Sequence, residues 1–432
     1  MSTLGSQIRR GPTTLTLKRP NIKSLGPWQS LGSIIFASHF NLLLPFIPFS
    51  WALHFSLPES CSERDVVILA LSLFALIPLS RLHRFAGEKL SIRMGQMCAG
   101  LLTATLGNSV ELIVAMIALV KGELRVVQMS RSVLTNLLLV LGVCFFVGGL
   151  RSSQQGFDFG VYRMNTLLLS ISVAGFLLPT ILQLQMREEN RYTRDISHAV
   201  SIILILTYGG FMVFQFYSHT HLYSEKSIQA TYTLLYGPNY LKSKQQQKMA
   251  QRNEDRNTDP EQAALLPERE TEEEEFLTPS LSMTIGLIVV VTAFIAICAE
   301  WLVDSIGGLT TAGHLNKEFV SVILLPISGH IAEDLVAVTD SMEHRLNSSI
   351  IVAIGSSIQL TLFVMPLVVI VGWMLGQPLT LAFGIYEVVA LFLGVAAVNS
   401  IAEDGKSYWL KGFFLICQFE SSDHNVKFTS TF

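Results

Sequence analysis

"LSMTIGLIVVVTAFIAICA" (residues 281–299) carries no charged side chain over nineteen residues. Wound as an α-helix at 1.5 Å per residue it covers about 28 Å, close to the thickness of a bilayer core. The rest of the chain has the same character: of 432 residues half are hydrophobic and only 15% are charged, with a mean hydropathy of +0.46. That is not the composition of an average soluble domain. Comparable runs recur near 31–56, 65–82, 95–119, 126–150, 163–184, 196–217, 318–341, 347–374 and 380–399, with the quoted one near 281–304 and a short last one near 406–417. The predicted fold is therefore an all-α polytopic membrane protein of about eleven transmembrane helices.

Charge sets the expected orientation. Residues 1–28 contain Arg9, Arg10, Lys18, Arg19 and Lys23 and no acid, which places the N-terminus in the cytosol by the positive-inside rule. The basic loop holding Arg81, Arg84, Lys89 and Arg93 falls on the same side; the three arginines in 185–195 fall on the other, against the rule. No apolar run precedes residue 30, so no cleavable secretory signal is expected. Cys61, Cys98, Cys144, Cys298 and Cys417 lack metal-ligand spacing. The net charge of −3 makes no case for nucleic acid. Residues 218–279 are polar and end in "ERETEEEEF" (268–276), a charge run expected to be a solvated, low-complexity cytosolic loop; a cation-attracting or regulatory role is the alternative.

That loop divides the chain. It separates an extra first helix (29–58) and a five-helix unit (65–217) from a second five-helix unit (280–417) and a polar tail (418–432). Set "GNSVELIVAMIAL" (107–119) over "GHIAEDLVAVTDS" (329–341), and Gly107/Gly329, Glu111/Glu333, Val114/Val336 and Ala115/Ala337 coincide. An odd number of spans per unit makes the two copies inverted repeats, an architecture that puts its site near the bilayer midplane. Ser132, Thr135 and Asn136 in "RSVLTNLLLVLG" (131–142) match in type Ser356, Ser357 and Gln359 in "GSSIQLTLFVMP" (355–366).

A carboxylate at membrane depth costs about 2.5–3.5 kcal/mol on insertion scales, so each buried glutamate demands a partner. Two glutamates neutralise one divalent ion, and Asn, Gln, Ser, backbone carbonyls and water complete the oxygen set that Ca²⁺ takes. Burial also favours the protonated carboxyl, so metal and protons compete for one site. Such competition is the minimum chemistry of an antiporter. Each residue has a plainer reading as well: Asn108 and Glu111 as partners of a neighbouring helix, the serines as small packing residues, Glu300 and Asp304 as caps facing water.

The motifs "GNSVELIVAMIALVKGELRVVQ" (107–128), "NLLLVLG" (136–142), "CAEWLVDSIGGL" (298–309), "KEFVSVILLPISGHIAEDLVAVT" (317–339), "VAIGSSIQLTLFVMPLVVIVGW" (352–373) and "GQPLTL" (376–381) resemble the cation/proton exchanger family, the vacuolar Ca²⁺/H⁺ antiporters of fungi and plants, within the calcium/cation antiporter superfamily. The resemblance implies an antiporter of the vacuolar membrane, driven by the proton gradient. Its first span lies outside the two repeats. It implies that Glu111 and Glu333 bind Ca²⁺ and exchange protons, with Asn108, Ser132, Ser356 and Gln359 lining the site. Ca²⁺, protons and the lipid bilayer are then the partners, no resident cofactor is expected, and a homo-oligomer is left open.

Three departures bear on the site. The second-repeat motif of the family usually reads G-N-A-A-E-H, whereas His330 stands here for the asparagine and Asp334 for the histidine; His330 joins the residues expected to couple protons. Glu111 and Ser132 are 21 positions apart but Glu333 and Ser356 are 23 apart, and Arg131 stands where the second repeat has Gly355. An arginine there needs a partner, and Glu111 is the expected one. The final span turns polar after about a dozen residues, roughly 18 Å of helix against a core of about 30 Å, as in a truncated or alternatively spliced chain. The rival readings are an exchanger homologue switched off by Arg131 and His330 with a structural or regulatory role, an antiporter for Mn²⁺ or Na⁺, and, with no nucleophile and base pattern to support it, an intramembrane hydrolase.

Overall fold

The computed structural model describes residues 22–24, 39–56, 64–91, 102, 105–122, 130–186, 191–219, 276–278, 280–311, 325–401 and 403–429. Helices dominate them: α1 (Phe46–Ser56), α2 (Arg64–Ser91), α3 (Ser109–Val120), α4 (Ser130–Arg151), α5 (Phe159–Met186), α6 (Arg191–Ser218), α7 (Leu281–Thr311), α8 (Leu325–Met342), α9 (Leu346–Met374), α10 (Ile385–Ile401) and α11 (Trp409–Thr429). Six of these, α2, α4, α5, α6, α9 and the Leu281–Ser305 part of α7, are long and apolar enough to cross a membrane; α3 and α10 are shorter apolar helices. The chain is an all-α polytopic membrane protein.

Its exterior is inverted relative to a soluble fold. Leu206, Val289, Phe392 and Phe414 are exposed while Ser72, Ser201, Ser349 and Thr361 are fully buried. Many of the buried hydroxyls bond a carbonyl one turn back, as Ser201 does to Ser197 (2.7 Å) and Thr361 to Ser357 (2.9 Å), which satisfies them without water. α2 lies along α7, and α8 packs on α2, α4 and α9. α4 and α11 approach closely. A Cβ on Gly149 or Gly412 would overlap the other helix's backbone, the small-residue contact that lets helices associate in lipid.

Two details differ from the linear reading. α2 does not stop near residue 82; "HRFAGEKLS" (83–91) keeps helix-forming residues and no proline, and the helix runs to Ser91, whose hydroxyl bonds the Glu88 carbonyl (2.7 Å). Arg81, Arg84 and Lys89 are thus helical, not loop, residues. α11 likewise continues to Thr429, through most of the expected polar tail.

Short strands tie the ends together. β1 (Ile22–Ser24) pairs in parallel with β3 (Phe276–Thr278), which puts the end of the basic tail and the end of the acidic segment on one side. β2 (Gln155–Gly156) pairs antiparallel with β4 (Lys406–Ser407). The remainder of 1–28 and of 218–279, with Cys61 and Cys98, lies outside the described residues.

Candidate functional site

The helix leading to α3 is interrupted. Helical backbone at 105–107 breaks at Asn108 (φ −107°, ψ 26°), and α3 restarts at Ser109. Its twelve residues span about 18 Å, too short to cross alone. The break sets Glu111, buried, in the first turn of a new helix, where the partial positive charge of the free N–H groups favours a carboxylate. A helix broken at membrane depth around a carboxylate is a feature of ion transporters.

α8 brings the second motif against it. His330 Nδ1 lies 2.6 Å from Glu111 Oε1, and His330 Nε2 lies 3.0 Å from Asn108 Oδ1. Asn108 in turn donates from Nδ2 to Gln359 Oε1 on α9 (2.6 Å). The approach of Nδ1 to Oε1 becomes an ion pair when the imidazole is protonated. Glu111 Oε2 is buried and has no hydrogen-bond partner among the described residues. A buried carboxylate oxygen without a partner marks a place for water or a cation.

Glu333, also buried, is held differently. Arg84 on α2 forms an ion pair with it through Nη1 and reaches Glu88 Oε1 with Nε at 3.3 Å. The neighbouring His83 fixes this part of α2: Nδ1 meets Ser109 Oγ at 2.6 Å and Nε2 meets Thr292 Oγ1 at 2.9 Å. Because the Thr292 hydroxyl donates to the Ile288 carbonyl (2.7 Å), it accepts from His83, and Ser109 donates. One imidazole thereby links α2, α3 and α7.

The expected residues fall into three groups. Glu111, Asn108, His330 and Gln359 form one connected network; Glu333 joins Arg84 instead. Ser132 is buried and Ser356 half-buried, and among the described residues neither hydroxyl bonds a member of that network. They sit just before matching π-helical stretches, Thr135–Val140 in α4 and Leu360–Val364 in α9, the wide turns that often mark functional sites. Asp334 is half-buried one turn beyond His330, its charge acting on His330, Glu333 and Glu111. Arg131 is buried but does not turn to Glu111 as expected. Its charge acts on Glu387 of α10, whose Oε2 accepts from Ser130 Oγ at 3.1 Å. Glu300 and Asp304 lie exposed within α7, not at its end, and bracket Lys121 at the end of α3 at 3.7 and 2.5 Å. Among the described residues no three acids, histidines or cysteines cluster as a metal site; each glutamate faces a base.

An interrupted helix carrying a buried carboxylate inside a bundle of spans is an arrangement found in membrane ion transporters. The chain matches the sodium/calcium exchanger protein family over residues 65–217 and 283–419, and it belongs to that family. It is 35% identical over 470 residues to a vacuolar calcium ion transporter of Cryptococcus neoformans var. grubii, covering 95% of this chain and 77% of the relative. It is 37% identical over 383 residues to a Ca(2+)/H(+) antiporter of Synechocystis sp., covering 88% of this chain and 94% of that one. Among solved structures it is similar to native YfkE, with a TM-score of 0.66 at 25% identity, over 89% of this chain and 98% of that chain.

Proposed function

We propose that the chain is a secondary antiporter that exchanges Ca²⁺ for H⁺ by alternating access, with Glu111 and Glu333 binding the metal or protons in competition. The observation that carries the reading is Glu111: buried at the head of an interrupted helix, 2.6 Å from His330 of the other half, with Oε2 still without a partner. Ca²⁺ is the substrate. Asn108 and Gln359, already joined, offer neutral oxygens beside the carboxylate, and Ser132 and Ser356 border the two π-helical turns. In this reading the halves 65–217 and 280–417 are the inverted repeats, the N-terminus is cytosolic, and the direction is cytosolic Ca²⁺ against lumenal protons. The names of the fungal and plant relatives support a vacuolar membrane.

The test is ⁴⁵Ca²⁺ uptake into sealed vesicles driven by an imposed pH gradient. Uptake is expected from the unaltered chain, abolished by collapsing the gradient and by Glu333→Gln. A chain that is silent until Arg131→Gly is introduced is an exchanger whose site has been switched off, and overturns the proposal.

A further inference from the structure

Among the described residues, Arg84 is the one cation outside the motifs in direct ion-pair contact with a proposed ion-binding carboxylate. Its side chain is 22% exposed and bridges two acids of unlike surroundings: Glu333, 7% exposed, and Glu88, 45% exposed and one turn further along α2. The backbone beneath it is held by the His83 contacts to Ser109 and Thr292, so the guanidinium and its stem are the part free to move. An arginine stays charged at any working pH. Deprotonation of Arg84 therefore cannot release Glu333 as a charged carboxylate; movement of the side chain can.

We infer that Arg84 is a tethered counter-cation that occupies Glu333 in the ion-free site and swings onto Glu88 to admit the transported divalent ion. This rests on the reading of Glu333 as an ion-binding carboxylate. The five donors of the guanidinium fork already engage both acids, so the swing trades one carboxylate for another rather than stranding a charge. A monovalent cation brings no more charge than the guanidinium it displaces. A divalent ion brings twice as much, and Arg84 thereby raises the threshold for binding while discriminating against monovalent ions. It is a specificity-determining residue distinct from the ligands.

The experiment measures the initial rate of pH-driven ⁴⁵Ca²⁺ uptake against Ca²⁺ concentration, with and without Na⁺. A parallel arm follows Ca²⁺-dependent thermal stabilisation of the purified full chain. Arg84→Gln is expected to lower the KM for Ca²⁺ about tenfold, the low end of the coupling for close charge pairs, and to make Na⁺ an effective competitor. Arg84→Lys restores the KM toward that of the unaltered chain. Glu88→Gln, which removes the alternative seat, raises it. An Arg84→Gln chain with unchanged KM and unchanged response to Na⁺ overturns the inference, as does one whose KM rises. If Arg84→Gln does not fold, Glu88→Gln decides: a raised KM supports the inference and an unchanged one overturns it. The antiporter reading fails separately. In that case the unaltered chain takes up no Ca²⁺ under the gradient and is not stabilised by it.

Discussion

Glu111 and Glu333 occupy matching places in the two motifs, yet they are held by different chemistry. Glu111 faces a histidine, whose charge depends on its protonation; Glu333 faces an arginine, whose charge is permanent. Each base comes from the opposite half of the chain, His330 on α8 and Arg84 on α2. The partner of Glu111 can change its charge with a proton and the partner of Glu333 cannot. The asymmetry teaches that a repeated motif need not carry a repeated environment: the residue at the asparagine position differs (Asn108 against His330), and so does the long helix packed beside it.

The largest expected effect comes from erasing the comparison. Glu111→Gln and Glu333→Gln each remove one of the two charges that would neutralise Ca²⁺, and uptake should fall by at least about a hundredfold in either. Equal loss in both marks the two glutamates as one site. A Glu111→Gln chain that transports normally would break the proposal at its root.

Glu387 bears on why Arg131 leaves Glu111 alone. Ser130 donates to this carboxylate and the charge of Arg131 acts on it. Glu387→Gln removes the carboxylate charge from that group and should cut uptake about tenfold. Adding Arg131→Gly should recover most of it. A double variant no better than the single would show that Glu387 matters for folding alone.

His330→Asn sharpens the comparison from the other side. An amide keeps a donor for Asn108 but cannot form a charged contact with Glu111. The prediction is retained uptake with a KM for Ca²⁺ lowered by a factor of a few, read on the same vesicles. Loss of uptake would make His330 a ligand or an obligatory proton carrier in its own right.

Much of this was legible in the chain. The charge-free runs gave the spans because a helix in lipid must satisfy its own backbone and present apolar side chains, and Gly-Asn and Gly-His before two aligned glutamates pointed to the proposed site. Arg84 was not legible. It stands two residues beyond the point where hydropathy ends the span, and only the continuation of α2 to Ser91 turns a loop arginine into a half-buried helical one. Nor could the chain show that Arg131 answers to Glu387, a residue 256 positions away, since periodicity carries no information about which distant helix a side chain meets. The π-helical turns after Ser132 and Ser356 are equally silent, because the residues that form them are ordinary helix formers.

The smallest effect belongs far from both glutamates, at the turn joining α10 to α11. Burial pushes the Asp404 carboxyl up, but the hydrogen bond from Lys411 Nζ (2.6 Å), the Lys406 amide and the Lys411 charge together hold it below its usual value. A carboxyl depressed in the folded chain contributes stability above its unfolded value and loses it as pH falls through the folded one. The pair is half-exposed on the aspartate side, and water and salt screen it. Asp404→Asn should lower the midpoint of thermal unfolding by on the order of one degree at neutral pH and by nothing once the pH is below the folded value. Uptake should be unchanged. A transport defect in this variant would mean that the α10–α11 turn is coupled to the ion site, and Glu387, on α10 and acting on Arg131, would be the first residue to suspect.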